Sequence, residues 1–330
     1  MKDDLLHGGA LDRMRAHFPD APAPWLDLST GINPWPCPVD PIPAEAFEHL
    51  PTQAAYHACH TAMAHAFNAP QDHLLIAPGS ELLIRLLPTI IAPRRVATLS
   101  PSYGDHARVW RAAGCELIET ADPLDTADEA DAIVLCQPNN PDGRTFALDD
   151  LLAACDRLAV RGGWLIVDEA YADLDPALSL ASRTGRDGLI VLRSFGKFFG
   201  LAGLRLGALL APTAILTGMQ EKLGVWPVNG PALDVGARCY GDLAWQAETR
   251  ARLAAARQRL DIILENAGLA LAGGTDLFRF IETEDATGLW EKLARAGIYV
   301  RRFDWSARHL RIGLPPDADA EARLAAALSP

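Results

Sequence analysis

Lysine is scarce in this chain: its 330 residues contain four, at positions 2, 197, 222 and 292. Paired cysteines are also missing, because none of the six (37, 59, 115, 136, 155 and 239) stands in CxxC spacing. That argues against a zinc knuckle and a disulfide framework, and reduced thiols in a cytoplasm are the expectation. No basic run offsets the net charge of −12, so neither nucleic acid nor an anionic membrane is an expected partner. Apolar stretches such as residues 82–91 are cut by Arg85 and Pro88, and Met1-Lys2-Asp3-Asp4 lacks the basic-then-apolar signal pattern. A soluble, unanchored, cytoplasmic protein is expected. No GxGxxG follows a strand-like run and no GxxxxGK[ST] occurs, which leaves dinucleotide and P-loop sites unsupported. His57, His60 and His65 with Cys59 resemble a metal set, but their spacing puts no three ligands on one helical face, and a solvated helix is the simpler reading.

What is present is a packed enzyme's composition, 49% hydrophobic, and enough chain for a large domain plus a smaller one. Residues 1–44 are rich in Pro and Gly and read as an arm lying over a site. Residues 45–220 alternate short apolar runs with helical stretches. The runs are Leu74–Ala77, Val96–Leu99, Glu116–Thr120, Ala132–Cys136, Trp164–Val167, Leu189–Leu192 and Leu206–Leu210. Several are apolar on both faces, which predicts an α/β domain with a mostly parallel seven-stranded sheet sandwiched by helices. Residues 221–330 read as a smaller α+β domain: one long helix over Leu233–Asn266, a strand at Leu277–Ile281, a helix at Thr287–Ala296, strands at Ile298–Arg301 and Leu310–Ile312, and a terminal helix from Asp319.

In open α/β sheets ligands bind beyond the carboxyl ends of the strands. The residues there are Gln137-Pro138-Asn139-Asn140-Pro141-Asp142-Gly143, then Asp168-Glu169-Ala170-Tyr171, then Ser194-Phe195-Gly196-Lys197. A lone loop lysine usually just reaches to water. Lys197, however, sits among Phe195, Phe198 and Phe199, where an ammonium is partly desolvated, a setting for nucleophilic amine chemistry. Ser194, Lys197 and Arg205 supply a hydroxyl, an amine and a guanidinium within a glycine-rich stretch, the set a phosphorylated aldehyde needs. Asp168 suits a pyridinium nitrogen, although alone it could equally be a helix N-cap.

These motifs, in this order, resemble the pyridoxal-phosphate (PLP)-dependent aminotransferase superfamily of the aspartate aminotransferase fold, over nearly the whole chain. The resemblance implies PLP as cofactor, fold type I, and a homodimer acting on a small molecule. It implies that Lys197 holds the cofactor aldehyde and Asp168 its ring nitrogen. Asn140 and Tyr171 would bond the phenolic oxygen. Gly79, Ser80, Glu81, Ser194 and Arg205 would take the phosphate, and Tyr103 would stack on the ring and share in catalysis. Arg311, in His309-Leu310-Arg311-Ile312-Gly313, would grip a substrate carboxylate, although a solvated edge-strand arginine is the plain alternative.

Two branches are close: histidinol-phosphate aminotransferases and the threonine-phosphate decarboxylases of cobalamin synthesis. His7-Gly8-Gly9, Asp27-Leu28-Ser29-Thr30-Gly31-Ile32-Asn33-Pro34 and Trp226-Pro227-Val228-Asn229 resemble the decarboxylase branch. By that resemblance His7 would meet the substrate phosphate, Gly31, Ile32 and Asn33 would line the carboxylate side, and Asn140 would also bind substrate; Arg301 is a second candidate for a substrate oxyanion, or equally a rim charge. Decarboxylation of O-phospho-L-threonine is then the expected reaction. A histidinol-phosphate-type aminotransferase is the alternative, and a catalytically silent PLP-fold module is a third reading. Two departures weaken the transaminase reading: Leu50-Pro51-Thr52 stands where that branch has Tyr-Pro-Asp, and Asp276 stands where it commonly has asparagine.

Overall fold

The computed structural model describes residues 8–39 and 41–329. Helices and strands alternate as α1 (Leu11–His17), β1 (Leu26–Leu28), α2 (Glu45–Glu48), α3 (Gln53–Ala66), β2 (Leu74–Ala77), α4 (Ser80–Leu86), β3 (Arg95–Leu99), α5 (Gly104–Ala112), β4 (Glu116–Thr120), β5 (Ala132–Cys136), α6 (Leu148–Val160), β6 (Trp164–Asp168), β7 (Leu189–Ser194), β8 (Gly207–Leu210) and α7 (Thr213–Leu223). Then follow α8 (Gly230–Gly241), α9 (Leu243–Asn266), β9 (Ala270–Thr275), β10 (Phe278–Glu282), α10 (Ala286–Arg295), β11 (Ile298–Phe303), β12 (Ser306–Gly313) and α11 (Ala318–Leu328). Among the described residues no helix is long and apolar enough to cross a membrane.

The chain forms two compact units. One comprises Pro36–Asn140 and Arg144–Gln246. Its sheet has seven strands in the order β2-β8-β7-β6-β5-β3-β4, with β8 alone antiparallel to its neighbours. All five residues of β5 are buried, as are the last four of β6, because helices cover both faces of such a sheet. The apolar runs therefore predicted the strands to within two residues. The parallel direction brings Cys136, Asp168 and Ser194, the last residues of β5, β6 and β7, to one rim.

The other unit comprises the described residues up to Trp35, Pro141–Gly143, and the chain from Ala247 onward. Its sheet runs β1-β11-β12-β10-β9. Its boundaries differ from the domain limits read from the sequence, for two local reasons. Residues 26–28 pair in parallel with β11, which makes the supposed arm an edge of the smaller sheet. Helix α8 packs along α3, which keeps it with the larger unit.

The single helix expected over Leu233–Asn266 is two helices. Asp242 leaves the helical conformation after α8, and its Oδ1 accepts the Trp245 amide at 2.9 Å to open α9, an N-cap. Asn229 opens α8 in the same way, accepting the Ala232 amide at 2.9 Å.

Candidate active site

A cavity of about 230 Å³ lies at the strand-end rim of the larger unit. Its lining includes Gly79, Ser80, Glu81, Tyr103, Asn140, Asp168, Tyr171, Ser194, Lys197 and Arg205. Every cofactor-site residue read from the sequence is therefore brought to one place, and each arrives there for a local reason.

Lys197 is held by what flanks it. Phe195, Phe198 and Phe199 are fully buried. Phe195 and Phe199 stack at 4.5 Å, and Phe199 stacks on Trp245 at 5.8 Å. This aromatic anchor fixes the turn and leaves the lysine half-buried at the cavity. Gly196 permits the turn: a Cβ there would lie 2.8 Å from the Cα of Ala202.

The Arg205 end of the cavity is equally tight. Arg205 adopts a left-handed conformation, φ 54°, which is uncommon for a residue with a side chain. Its guanidinium would be 3.1 Å from a Cβ at Gly79. A Cβ at Gly207 would meet the Arg193 carbonyl oxygen at 2.7 Å and the Ser80 amide nitrogen at 2.8 Å. Glycine at 79 and 207 thus allows the start of α4, the end of β7 and the Arg205 fork to close around one point. The Glu81 carboxylate turns elsewhere, accepting the Tyr103 hydroxyl at 3.0 Å and pairing with Arg85 at 2.6 Å.

Asp168 sits on the cavity floor. Its Oδ1 accepts the Ala170 amide at 3.2 Å, and its Oδ2 lies 3.0 Å from His106 Nε2. His106 is buried, which alone would lower its pKa. The hydrogen bond to Asp168 and the contact with Cys136 outweigh that and raise it to about 10. Cys136 Sγ completes the cluster, 4.0 Å from the same carboxylate oxygen. Neither His106 nor Cys136 was read from the sequence as a site residue. The available signal was a histidine three residues beyond Tyr103, one helical turn inward from a rim aromatic.

The two adjacent asparagines divide their work. Asn139 is structural: its amide donates to the Pro101 carbonyl at 3.0 Å and its oxygen accepts Ser102 Oγ at 2.7 Å. Gln137 clamps the same loop through two bonds with the Phe146 backbone, at 2.8 and 2.9 Å. Asn140 lines the cavity.

The expected substrate residues of the smaller unit form a cluster of their own. Arg311 is buried, and its Nη2 donates to the Ser29 carbonyl at 2.8 Å. Half-buried Arg301 is its cross-strand register partner. Gly31, Ile32 and Asn33 follow β1, with Asn33 Oδ1 accepting the Trp35 amide at 2.8 Å. His7 lies outside the described residues.

The aminotransferase class I and II family model matches residues 43–328. Over 334 residues, covering 100% of this chain and 99% of the relative, the sequence is 41% identical to a threonine-phosphate decarboxylase of Sinorhizobium sp. It is 44% identical over 326 residues to a threonine-phosphate decarboxylase of Pseudomonas aeruginosa, covering 98% of this chain and 97% of that one. Among solved structures, the histidinol-phosphate aminotransferase of Sinorhizobium meliloti in complex with pyridoxal-5'-phosphate superposes with a TM-score of 0.80 at 20% identity, covering 96% of this chain and 92% of that one.

Proposed function

Because this chain belongs to the aminotransferase class I and II family, we propose that it is a PLP-dependent enzyme that decarboxylates O-phospho-L-threonine to (R)-1-aminopropan-2-yl phosphate, a step of cobalamin synthesis. The observation that carries this reading is end-to-end identity of 41 and 44% to two threonine-phosphate decarboxylases.

The residues of the cavity fit the cofactor. An amine, a buried carboxylate, a hydroxyl and a guanidinium surround one space, and glycines stand where a Cβ would intrude. Ser194, Arg205 and the backbone of Gly79-Ser80-Glu81 would hold its phosphate. Asn140 and Tyr171 would bond its phenolic oxygen, and Tyr103, whose hydroxyl donates to Glu81, would stack on its ring. Asp168, beside His106, would pair with the ring nitrogen. When bound, the cofactor supplies an aldehyde that takes up the substrate amine and a ring that accepts the electron pair left at Cα.

The remaining work falls to side chains. Arg311 binds the substrate carboxylate and sets the direction of the Cα–carboxylate bond relative to the ring, while Gly31, Ile32 and Asn33 line that side. By the likeness to the decarboxylases His7 would meet the substrate phosphate, and Arg301 is a second group for a substrate oxyanion. The Cα–carboxylate bond breaks, carbon dioxide leaves, and Lys197 Nζ delivers a proton to Cα.

A homodimer in the cytoplasm is part of the proposal. Phe47, Leu50 and Trp226, all in the larger unit, are 67, 63 and 52% exposed in the single chain, apolar area suited to a second copy. Light scattering on the purified protein measures that state.

The deciding experiment for the reaction is incubation of the PLP-loaded protein with O-phospho-L-threonine and no 2-oxo acid. Carbon dioxide release is expected. Product formed only when a 2-oxo acid acceptor is supplied would replace the decarboxylase by an aminotransferase.

A further inference from the structure

One face of the smaller sheet carries rings and cations together. Helix α10 packs on the opposite face, where Arg302 covers the Trp290 ring at 4.8 Å and Trp290 Nε1 donates to the Val300 carbonyl at 3.0 Å. Side chains alternate between faces along a strand, so His309 and Arg311 of β12 share one face. Register partners share it too: Arg301 of β11 stands opposite Arg311, and Arg311 opposite Phe280 of β10. Four rings gather there. Phe280 and His309 stack at 4.8 Å with their planes 3° apart, and Phe303 meets Phe280 edge-on at 5.9 Å. Trp305, in the turn between β11 and β12, lies 5.1 Å from Phe303 and 5.8 Å from His309. The rings hold the imidazole of His309 in one plane.

Ser306 decides where that imidazole carries its proton. Its Oγ accepts the Arg308 amide at 3.2 Å and lies 2.6 Å from His309 Nδ1. A proton on Nδ1 would leave the serine hydrogen with no acceptor among the described residues, so the hydroxyl donates to Nδ1 and the neutral ring is protonated on Nε2. A doubly protonated ring has a hydrogen on Nε2 as well. In both states Nε2 is a donor, and among the described residues it meets no acceptor. The carboxylate of Glu282, the register partner of His309, is turned to Arg308, whose Nε it accepts at 3.0 Å.

We propose that His309 Nε2 joins the Arg301 guanidinium in a subsite for the phosphate monoester of the substrate, with Ser306 as the residue that positions the imidazole. The inference rests on the reading of the chain as an enzyme acting on a phosphorylated amino acid. Such a substrate has two anionic ends on a short frame, and the donors of this face divide to match. Arg311, buried and tied to the Ser29 carbonyl, serves the carboxylate. Arg301 and His309, both half-buried, serve the phosphate, which takes several charge-assisted hydrogen bonds at once. Arg301 lies 5.4 Å from the Phe303 ring, so rings flank both phosphate donors. By excluding water they strengthen each bond the donors make.

The test uses the PLP-loaded full chain. In protein with isotope-labelled histidine, the Nε2 resonance of His309 is identified as the one missing from His309→Phe or His309→Gln. Aminopropanol phosphate should shift it, and aminopropanol, which lacks the phosphate, should not. The variants give the second readout. His309→Phe keeps the stack on Phe280 and removes the donor, so KM for phosphothreonine should rise about tenfold, the worth of one hydrogen bond to a charged group, with kcat little changed. The inhibition constant of aminopropanol phosphate should rise by the same factor. His309→Gln, whose amide nitrogen extends about as far as Nε2, should recover most of the loss. A resonance that stays still with aminopropanol phosphate, or equal constants in the wild type and both variants, would overturn the proposal; should His309→Phe fail to fold, the wild-type titration decides. A wild-type protein that releases no carbon dioxide from phosphothreonine, yet shifts this resonance with aminopropanol phosphate, would remove the decarboxylase reading and uphold the phosphate subsite.

Discussion

His106 Nε2 and Asp168 Oδ2 are 3.0 Å apart on the cavity floor, each only 4% exposed. The groups facing this imidazole are Asp168, Cys136 and Tyr103. Because the folded pKa, about 10, lies above the ordinary value of 6.5, the bound proton stabilises the fold in full below pH 6.5. That contribution is lost as the pH rises through 10. Denaturant unfolding of the apoprotein between pH 6 and pH 10 should show this decline. In His106→Gln the slope should flatten, and stability at pH 6 should fall by about 1.5–3 kcal/mol, the worth of a hydrogen bond to a charged group. An identical pH slope in the variant would contradict the assignment.

The origin of that pair also marks what the sequence could and could not disclose. The seven runs of the larger sheet were legible because strands covered on both faces must be apolar throughout; Asp168, Ser194 and Lys197 were legible because they follow such runs, and Arg205 because it stands in the glycine-rich stretch after Lys197. His106 was not, since a helical histidine has no pattern of its own and only tertiary packing brings it against Asp168. Strand β9 was missed because Ala-Gly-Gly reads as loop, although those glycines are there to meet Asp142. The arm was read as structureless because β1 is three residues long and is a strand only through its pairing with β11.

Behind the catalytic rim, Arg193 joins two carboxylates out of water. Its Nη1 lies 2.9 Å from Glu169 Oε2, its Nη2 bonds Asp173, and its guanidinium covers the Phe67 ring at 4.3 Å. Burial raises the Glu169 pKa, opposed by Arg193 and by bonds from Ser179 and the Leu180 amide. Removing the cation leaves two buried acids uncompensated, so Arg193→Ala should cost about 3–5 kcal/mol in chemical unfolding. Because the pair follows directly on Asp168, the variant should also retain less cofactor at equal protein concentration.

Gly207 carries no functional group, yet its replacement should act on the cofactor. A methyl there would press on the Arg193 carbonyl and the Ser80 amide, both backbone atoms that cannot rotate away. No side-chain rotation relieves that pressure; the start of α4 must shift, which opens the Arg205 end of the cavity. Gly207→Ala should therefore weaken PLP affinity by about tenfold or more, the equivalent of one charge-assisted hydrogen bond. Absorbance of the dialysed protein against added PLP measures this, and unchanged affinity would mean the cup has slack the distances do not show.

Arg311 offers a sharper discrimination, because its proposed role concerns one end of one ligand. Its Nη2 donates to the Ser29 carbonyl, and a lysine cannot satisfy that carbonyl and a carboxylate in the same geometry. Arg311→Lys should lower kcat/KM for phosphothreonine by about a hundredfold, since a small misplacement of the bond to be broken is enough for that loss. The bound-cofactor spectrum should not change. Inhibition by aminopropanol phosphate, which has no carboxylate, should also be unaltered. A parallel weakening of that inhibitor would mean Arg311 serves the phosphate instead, and the carboxylate would then have to be met by Arg301, its partner in the strand register.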